Sequence, residues 1–267
     1  MSTLRISEVV PLFRKPIICW LTPVAEYLFG ISYFNRFANE MRHTSGGDVY
    51  AIPTKAIQYW SIDIVVQEKS IENIPKSEGI ILVSEHPTDI IDYIIIMHTL
   101  GSVRHDYKLT ANSHAFKLKL LNSILFSLSV HGEKNTAVTN AASIRNTIKW
   151  LKEKHALITF PGARPSTLSQ RVRHGREHWS ALPLLLAEKT GAVILPVQLK
   201  LAEPQWHLFL KKYFRPVYNL LIFHILKSLN NTQAFIAIGA PIRLDDLPQE
   251  LTREQQAQWL RKQAASL

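Results

Sequence analysis

The sequence predicts an α/β fold, a mostly parallel twisted sheet flanked by helices and preceded by an N-terminal helical segment suited to membrane contact. Two observations carry this. Short apolar runs bounded by turn residues alternate with longer stretches of helical periodicity, the pattern of strand–helix–strand units in a parallel sheet. Upstream of that alternation, the break His43–Asp48 (HTSGGD) closes off a greasy, aromatic stretch. The expected division is therefore residues 1–48, a helical segment, and residues 49–267, the α/β domain.

Residues 16–34 include Trp20, Tyr27, Phe29, Tyr33 and Phe34, with Arg5, Arg14, Lys15 and Arg36 flanking them. Such a segment fits a buried helical hairpin, or a helix lying in the bilayer interface with cations at the headgroups. Pro23, Glu26 and Gly30 interrupt it, and no uninterrupted apolar run reaches the roughly eighteen residues of a membrane span, so no spanning helix is expected. No secretory signal is read at the N-terminus.

Beyond the break, 61–67 (SIDIVVQ) is β-branched and 79–84 (GIILVS) reads as a buried strand. A helix is expected over 90–100, a strand over 108–111 and a helix over 114–128. Residues 140–154 place Ile144, Ile148 and Leu151 on one face and Arg145, Lys149 and Lys152 on another, an amphipathic helix. Strands are expected at 156–160, 193–199 and 235–238, and helices at 180–189 and 253–265.

Composition narrows the function classes. With 46% hydrophobic and 19% charged residues the chain is globular rather than disordered. Lys plus Arg exceeds Asp plus Glu by 31 − 21, a net charge of +10. That surplus suits a polyanionic partner such as a membrane surface, a phosphorylated substrate or an acidic carrier. No helix-turn-helix, zinc finger or aromatic RNA-binding strand is present, so nucleic acid is disfavoured. The single cysteine, Cys19, permits neither an intrachain disulfide nor a Cys-based zinc site. The eleven histidines are scattered without metal-ligand spacing, so no metal and no resident cofactor are expected.

In α/β sheets ligands bind beyond the carboxyl ends of the strands, and two loops there are chemically loaded. Strand 79–84 ends in Glu85-His86-Pro87-Thr88-Asp89-Ile90-Ile91-Asp92. Pro87 stops the strand, and Thr88 or Asp89 can cap the next helix. His86 then projects from a strand end with Asp92 about one helical turn away. A carboxylate beside an imidazole fixes the ring's tautomer and stabilises its cation, which is what a general base for an alcohol requires. The same spacing also fits a helix-capping loop with a solvated His, and Asp89 is a rival partner to Asp92. The second loop, Phe160-Pro161-Gly162-Ala163-Arg164-Pro165-Ser166, offers small residues for close backbone approach and an Arg for an anion.

The first loop, Glu-His-Pro-Thr-Asp-Ile-Ile-Asp after an apolar strand, resembles the signature block of the glycerolipid (lysophosphatidic acid) acyltransferase superfamily. The resemblance is strongest to the branch of ornithine-lipid acyltransferases and hemolysin-like proteins. Five residues separate His86 from Asp92, where most of the superfamily has four and that branch has five. Glu85 stands where Asn is common. The second loop lies where the superfamily carries Phe-Pro-Glu-Gly-Thr-Arg-Ser; in register Gly162 replaces the Glu and Pro165 the Arg, with Arg164 one place early. Residues 129–134 (SVHGEK) occupy the place of an intermediate block in which His131 or Lys134 stands for an Arg, and 190–197 (TGAVILPV) resembles a fourth block. The blocks fall in the family's order between about Tyr59 and Leu247.

The resemblance implies direct acyl transfer from acyl-CoA or acyl-carrier protein to the hydroxyl of a lysolipid, of lyso-ornithine or lysophosphatidic acid type. His86 is then the general base and Asp92 its partner, with Gly162, Ala163, Arg164, Ser166 and Lys134 binding substrate. It also makes the helical segment 1–48 membrane-interacting, and implies a peripheral enzyme of membrane-lipid biosynthesis on the cytoplasmic face of the inner membrane. The residues equally fit a thioesterase or lipase in which the same pair activates water, or a non-catalytic basic lipid-binding protein. The clusters Arg171, Arg173, His174, Arg176 and Lys211, Lys212, Arg215 are solvated faces or sites for acidic carriers, coenzyme A phosphates or headgroups.

Overall fold

The computed structural model describes residues 4–9, 15, 19–86, 90–111, 121–127, 136–162 and 178–267. By its internal contacts the chain forms two compact units, residues 64–200 with 235–267, and residues 1–63 with 201–234.

Among the described residues the sheet has seven strands in the order β1-β7-β6-β2-β5-β3-β4. They are β1 Asp63–Val66, β2 Ile80–Ser84, β3 Tyr107–Ala111, β4 Leu125–Ser127, β5 Ala156–Thr159, β6 Val193–Leu201 and β7 Gln233–Ile238. Strand β2 is parallel to β5 on one side and to β6 on the other, and β3 is parallel to both β5 and β4. All five residues of β2 and all four of β5 are buried, as expected of central strands covered on both faces. Alternation sends Ile81, Val83 and Leu157 to one face, where they pack with Leu184 and Leu260 from flanking helices and with Trp179 from a loop. The helix Arg253–Ala265 starts with a capping box between Thr252 and Gln255. The expected α/β architecture with a mostly parallel sheet is therefore the observed one.

One element differs. The helix expected over 114–128 is replaced at its end by a 3-10 turn at Asn122–Ile124 and by β4, which pairs Leu109 with Leu125 and Ala111 with Ser127. An apolar run as short as Ile124–Phe126 carries too few residues for its period to separate strand from helix, and pairing with the edge of β3 decides it. The rest of that expected helix lies outside the described residues.

At the amino ends of these strands Arg104 is buried and fully engaged. Its Nε and Nη2 donate to the two carboxylate oxygens of Asp106, both at 2.6 Å, and its other donations reach the carbonyls of Pro75, Glu78 and Lys154. His155 Nδ1 lies 2.9 Å from Asp106 Oδ2. Burial alone raises the Asp106 carboxyl, but the hydrogen bonds from Arg104 and His155 and the guanidinium charge bring it net below its usual range. Replacing Arg104 by Met removes the side-chain donors of three carbonyls and leaves Asp106 with His155 in place of the guanidinium, and is expected to destabilise the protein by about 2–4 kcal/mol in urea unfolding. Because the folded carboxyl is depressed, its contribution is present above the unfolded carboxylate range and fades as pH falls through the folded value. The Met variant should lose that part of the acid dependence.

The other unit is helical. The helix Ile31–Thr44 buries Phe34 and Phe37, which meet Phe223 at 4.6 Å and Trp60 at 4.5 Å between ring centroids. Gly30 opens this helix at φ +75°, and a Cβ there would stand 2.5 Å from the His224 backbone nitrogen, so only glycine lets the two segments close. This packing draws residues 201–234 in with the N-terminal stretch. The helix Ile31–Thr44 runs through His43 and Thr44, and a turn from Ser45 leads on toward the helix Ile52–Trp60 within the same unit. Of the aromatic stretch, Phe34 is core while Trp20 and Tyr27 are exposed. Among the described residues no helix is long and apolar enough to cross a membrane.

Candidate active site

Strands β2 and β5 run side by side in parallel with Val83 opposite Thr159, so the two loaded loops leave the sheet together at its carboxyl edge. The ring of His86 stacks on Phe160, centroids 4.4 Å apart and planes at 27°. Tyr93 closes the frame edge-on, 5.2 Å from His86 and 4.5 Å from Phe160. Its hydroxyl donates to the Thr110 carbonyl at 2.8 Å, which fixes the ring.

Asp92 lies in the first turn of the helix Ile90–Gly101. Its side chain is 0% exposed, and its Oδ2 is 2.9 Å from Nδ1 of His86, whose side chain is 20% exposed. A helix N-terminus favours a carboxylate, and an ionised carboxylate only accepts hydrogen bonds. The imidazole therefore carries its proton on Nδ1, and the basic lone pair sits on Nε2. Chemically, the pair can take a proton on Nε2 and hold the resulting cation against a buried anion. The structure thus brings His86 and Asp92 together at the spacing read from the sequence; the rival Asp89 lies outside the described residues, as do Pro87 and Thr88.

Gly162 follows Pro161 directly behind this edge. A Cβ on it would come within 3.0 Å of Trp179 Cδ1, 3.1 Å of Trp179 Nε1 and 3.3 Å of Glu85 Oε2. That crowding is the local reason for a glycine here. Glu85 Oε1 accepts from Trp179 Nε1 at 2.9 Å and from Arg261 Nε at 2.6 Å. Sequence reasoning missed this cluster: Arg261 sits in a helix read only as polar, and a single Arg there gives no signal of a partner 176 positions away. The substrate-binding candidates Ala163, Arg164, Ser166 and Lys134 lie outside the described residues, with His131 and the cluster from Arg171 to Arg176.

A histidine braced by a buried carboxylate at the carboxyl edge of an α/β sheet can serve as a proton-transfer centre. The acyltransferase family model matches residues 65–200, just over half of the chain and including both strand ends, and the chain belongs to that family. It is an acyltransferase. The structure is similar to that of 1-acyl-sn-glycerophosphate (LPA) acyltransferase, PlsC, from Thermotoga maritima, with 18% identity and a TM-score of 0.48 over 82% of this chain and 77% of that one. No curated protein matches the sequence at a significant level.

Proposed function

We propose that the protein transfers a fatty acyl group from acyl-CoA or acyl-carrier protein to the hydroxyl of a lysolipid, of lyso-ornithine or lysophosphatidic acid type, in membrane-lipid biosynthesis. The observation that carries this reading is the 2.9 Å contact between His86 Nδ1 and the buried Asp92 carboxylate. Nε2 of His86 takes the proton of the acceptor hydroxyl as its oxygen attacks the thioester carbonyl. The tetrahedral intermediate expels the thiolate, which recovers the proton from the imidazolium, leaving an ester and a free thiol. Asp92 holds the tautomer and offsets the charge that appears on His86. Backbone N–H groups around Gly162 and Ala163 meet the developing oxyanion. Arg164, Ser166 and Lys134 bind the acceptor head or the donor. The enzyme works as a peripheral protein on the cytoplasmic face of the inner membrane.

The test is transfer from labelled acyl-carrier protein and acyl-CoA to a panel of lysolipids. Esterification of one lysolipid, dependent on acceptor and abolished in a His86 variant, supports the reading and identifies the acceptor. Thioester hydrolysis at the same rate with and without acceptor overturns it in favour of a thioesterase.

A further inference from the structure

A helix on a water-facing surface ordinarily turns its apolar residues inward. The helix Gln205–Tyr213 does the reverse. His207 is 0% exposed and its Nε2 lies 2.7 Å from Ser228 Oγ. Trp206, Phe209 and Tyr213, spaced i, i+3, i+7, stand 41%, 54% and 61% exposed. The apolar surface continues through Phe214 and into the helix Arg215–Leu220 at Val217. Within the same stretch the sequence supplies Lys211, Lys212 and Arg215.

We propose that residues 205–220 are a membrane-docking surface that inserts Trp206, Phe209 and Tyr213 into the interface of a bilayer carrying anionic headgroups. Two features favour lipid over a protein occupant. Protein interfaces are depleted in Lys at their cores, whereas segments that lie in a bilayer interface combine Trp and Phe with Lys and Arg. The chain's +10 charge complements an anionic leaflet. A second apolar stripe, Trp20, Val24, Tyr27 and Leu28, belongs to the same compact unit, so the surface at 205–220 adds to the N-terminal segment rather than replacing it. The inference does not depend on the catalytic reading, because none of these residues is part of the His86 site.

The experiment is sedimentation of the full chain with vesicles of phosphatidylcholine, with and without phosphatidylglycerol. Trp206→Ser/Phe209→Ser/Tyr213→Ser is expected to weaken binding to the anionic vesicles at least about tenfold, with unchanged circular dichroism. Lys211→Glu/Lys212→Glu/Arg215→Glu should remove the preference for phosphatidylglycerol and the salt dependence. As a check independent of those substitutions, brominated lipid should quench tryptophan emission in the wild type and quench it less in Trp206→Phe. Vesicle binding and quenching that are the same in every variant overturn the proposal. So does a wild-type self-association that the serine variant loses while its vesicle binding persists, which makes the face a protein interface.

Discussion

His86→Ala is expected to lower the rate of acyl transfer by about 10²–10⁴ or more, the usual range for removing a positioned general base. The ring has one face on Phe160 and one nitrogen on Asp92, so its removal also leaves a buried carboxylate without that partner. A stability effect has to be separated from a catalytic one. The thermal transition of the variant should stay within a few degrees of wild type, since the ring lies at the strand edge and is partly solvated. Its loss of activity should appear in kcat, with KM for the thioester little changed, because the proton is taken only as the bond forms. A folded variant retaining more than about a tenth of the wild-type kcat removes His86 from the base role.

Asp92→Asn is expected to be nearly as damaging, by about 10²–10⁴ in kcat, for a different reason. An amide can present its carbonyl to Nδ1–H and preserve the geometry, but it brings no charge to balance the imidazolium. Turned the other way, its NH₂ forces the proton to Nε2 and leaves no lone pair where the base must act. The folded state should tolerate the exchange, since a wholly buried negative charge is removed without a change of shape. Because the two residues act as a unit, the double variant should be little worse than His86→Ala alone, not the product of the two losses. Multiplicative losses in the double variant show that Asp92 acts independently of His86. Rates measured with one thioester donor at fixed acceptor, together with circular dichroism, are sufficient to decide.

The parts of the fold that were legible in the sequence are those in which burial is strongest. Strands 80–84 and 156–159 and the first five residues of 193–201 are buried, almost wholly apolar runs because both faces of the sheet are covered there, as in central parallel strands. The helix at 253–265 carries its own start signal, a capping box between Thr252 and Gln255. The edge of the sheet was harder. β4 spans three residues, and its strand character comes from a neighbour rather than from its own pattern. The helix at 205–213 carries inverted polarity, with His207 inside and Trp206 outside, so an amphipathic template assigns its faces the wrong way round. At the site, the His86–Asp92 pair was legible because both residues fall in one short block joined by a strand end and a helix start. The Glu85–Trp179–Arg261 cluster was not, because its members come from three distant segments and only tertiary packing brings them together.

The crowding around Gly162 has a consequence for how this chain can change by inheritance. A Glu at 162, as the resembled superfamily has, needs space that the Trp179 indole and the Glu85 carboxylate occupy. A single replacement at that position meets both groups at once, and the indole or the carboxylate has to give way by a few tenths of an ångström. Room for a larger side chain at 162 comes from changes at Glu85 or Trp179, and a change at Glu85 takes the carboxylate partner from Arg261. Substitutions at 85, 162, 179 and 261 should therefore couple to one another in stability, each changing the effect of the next.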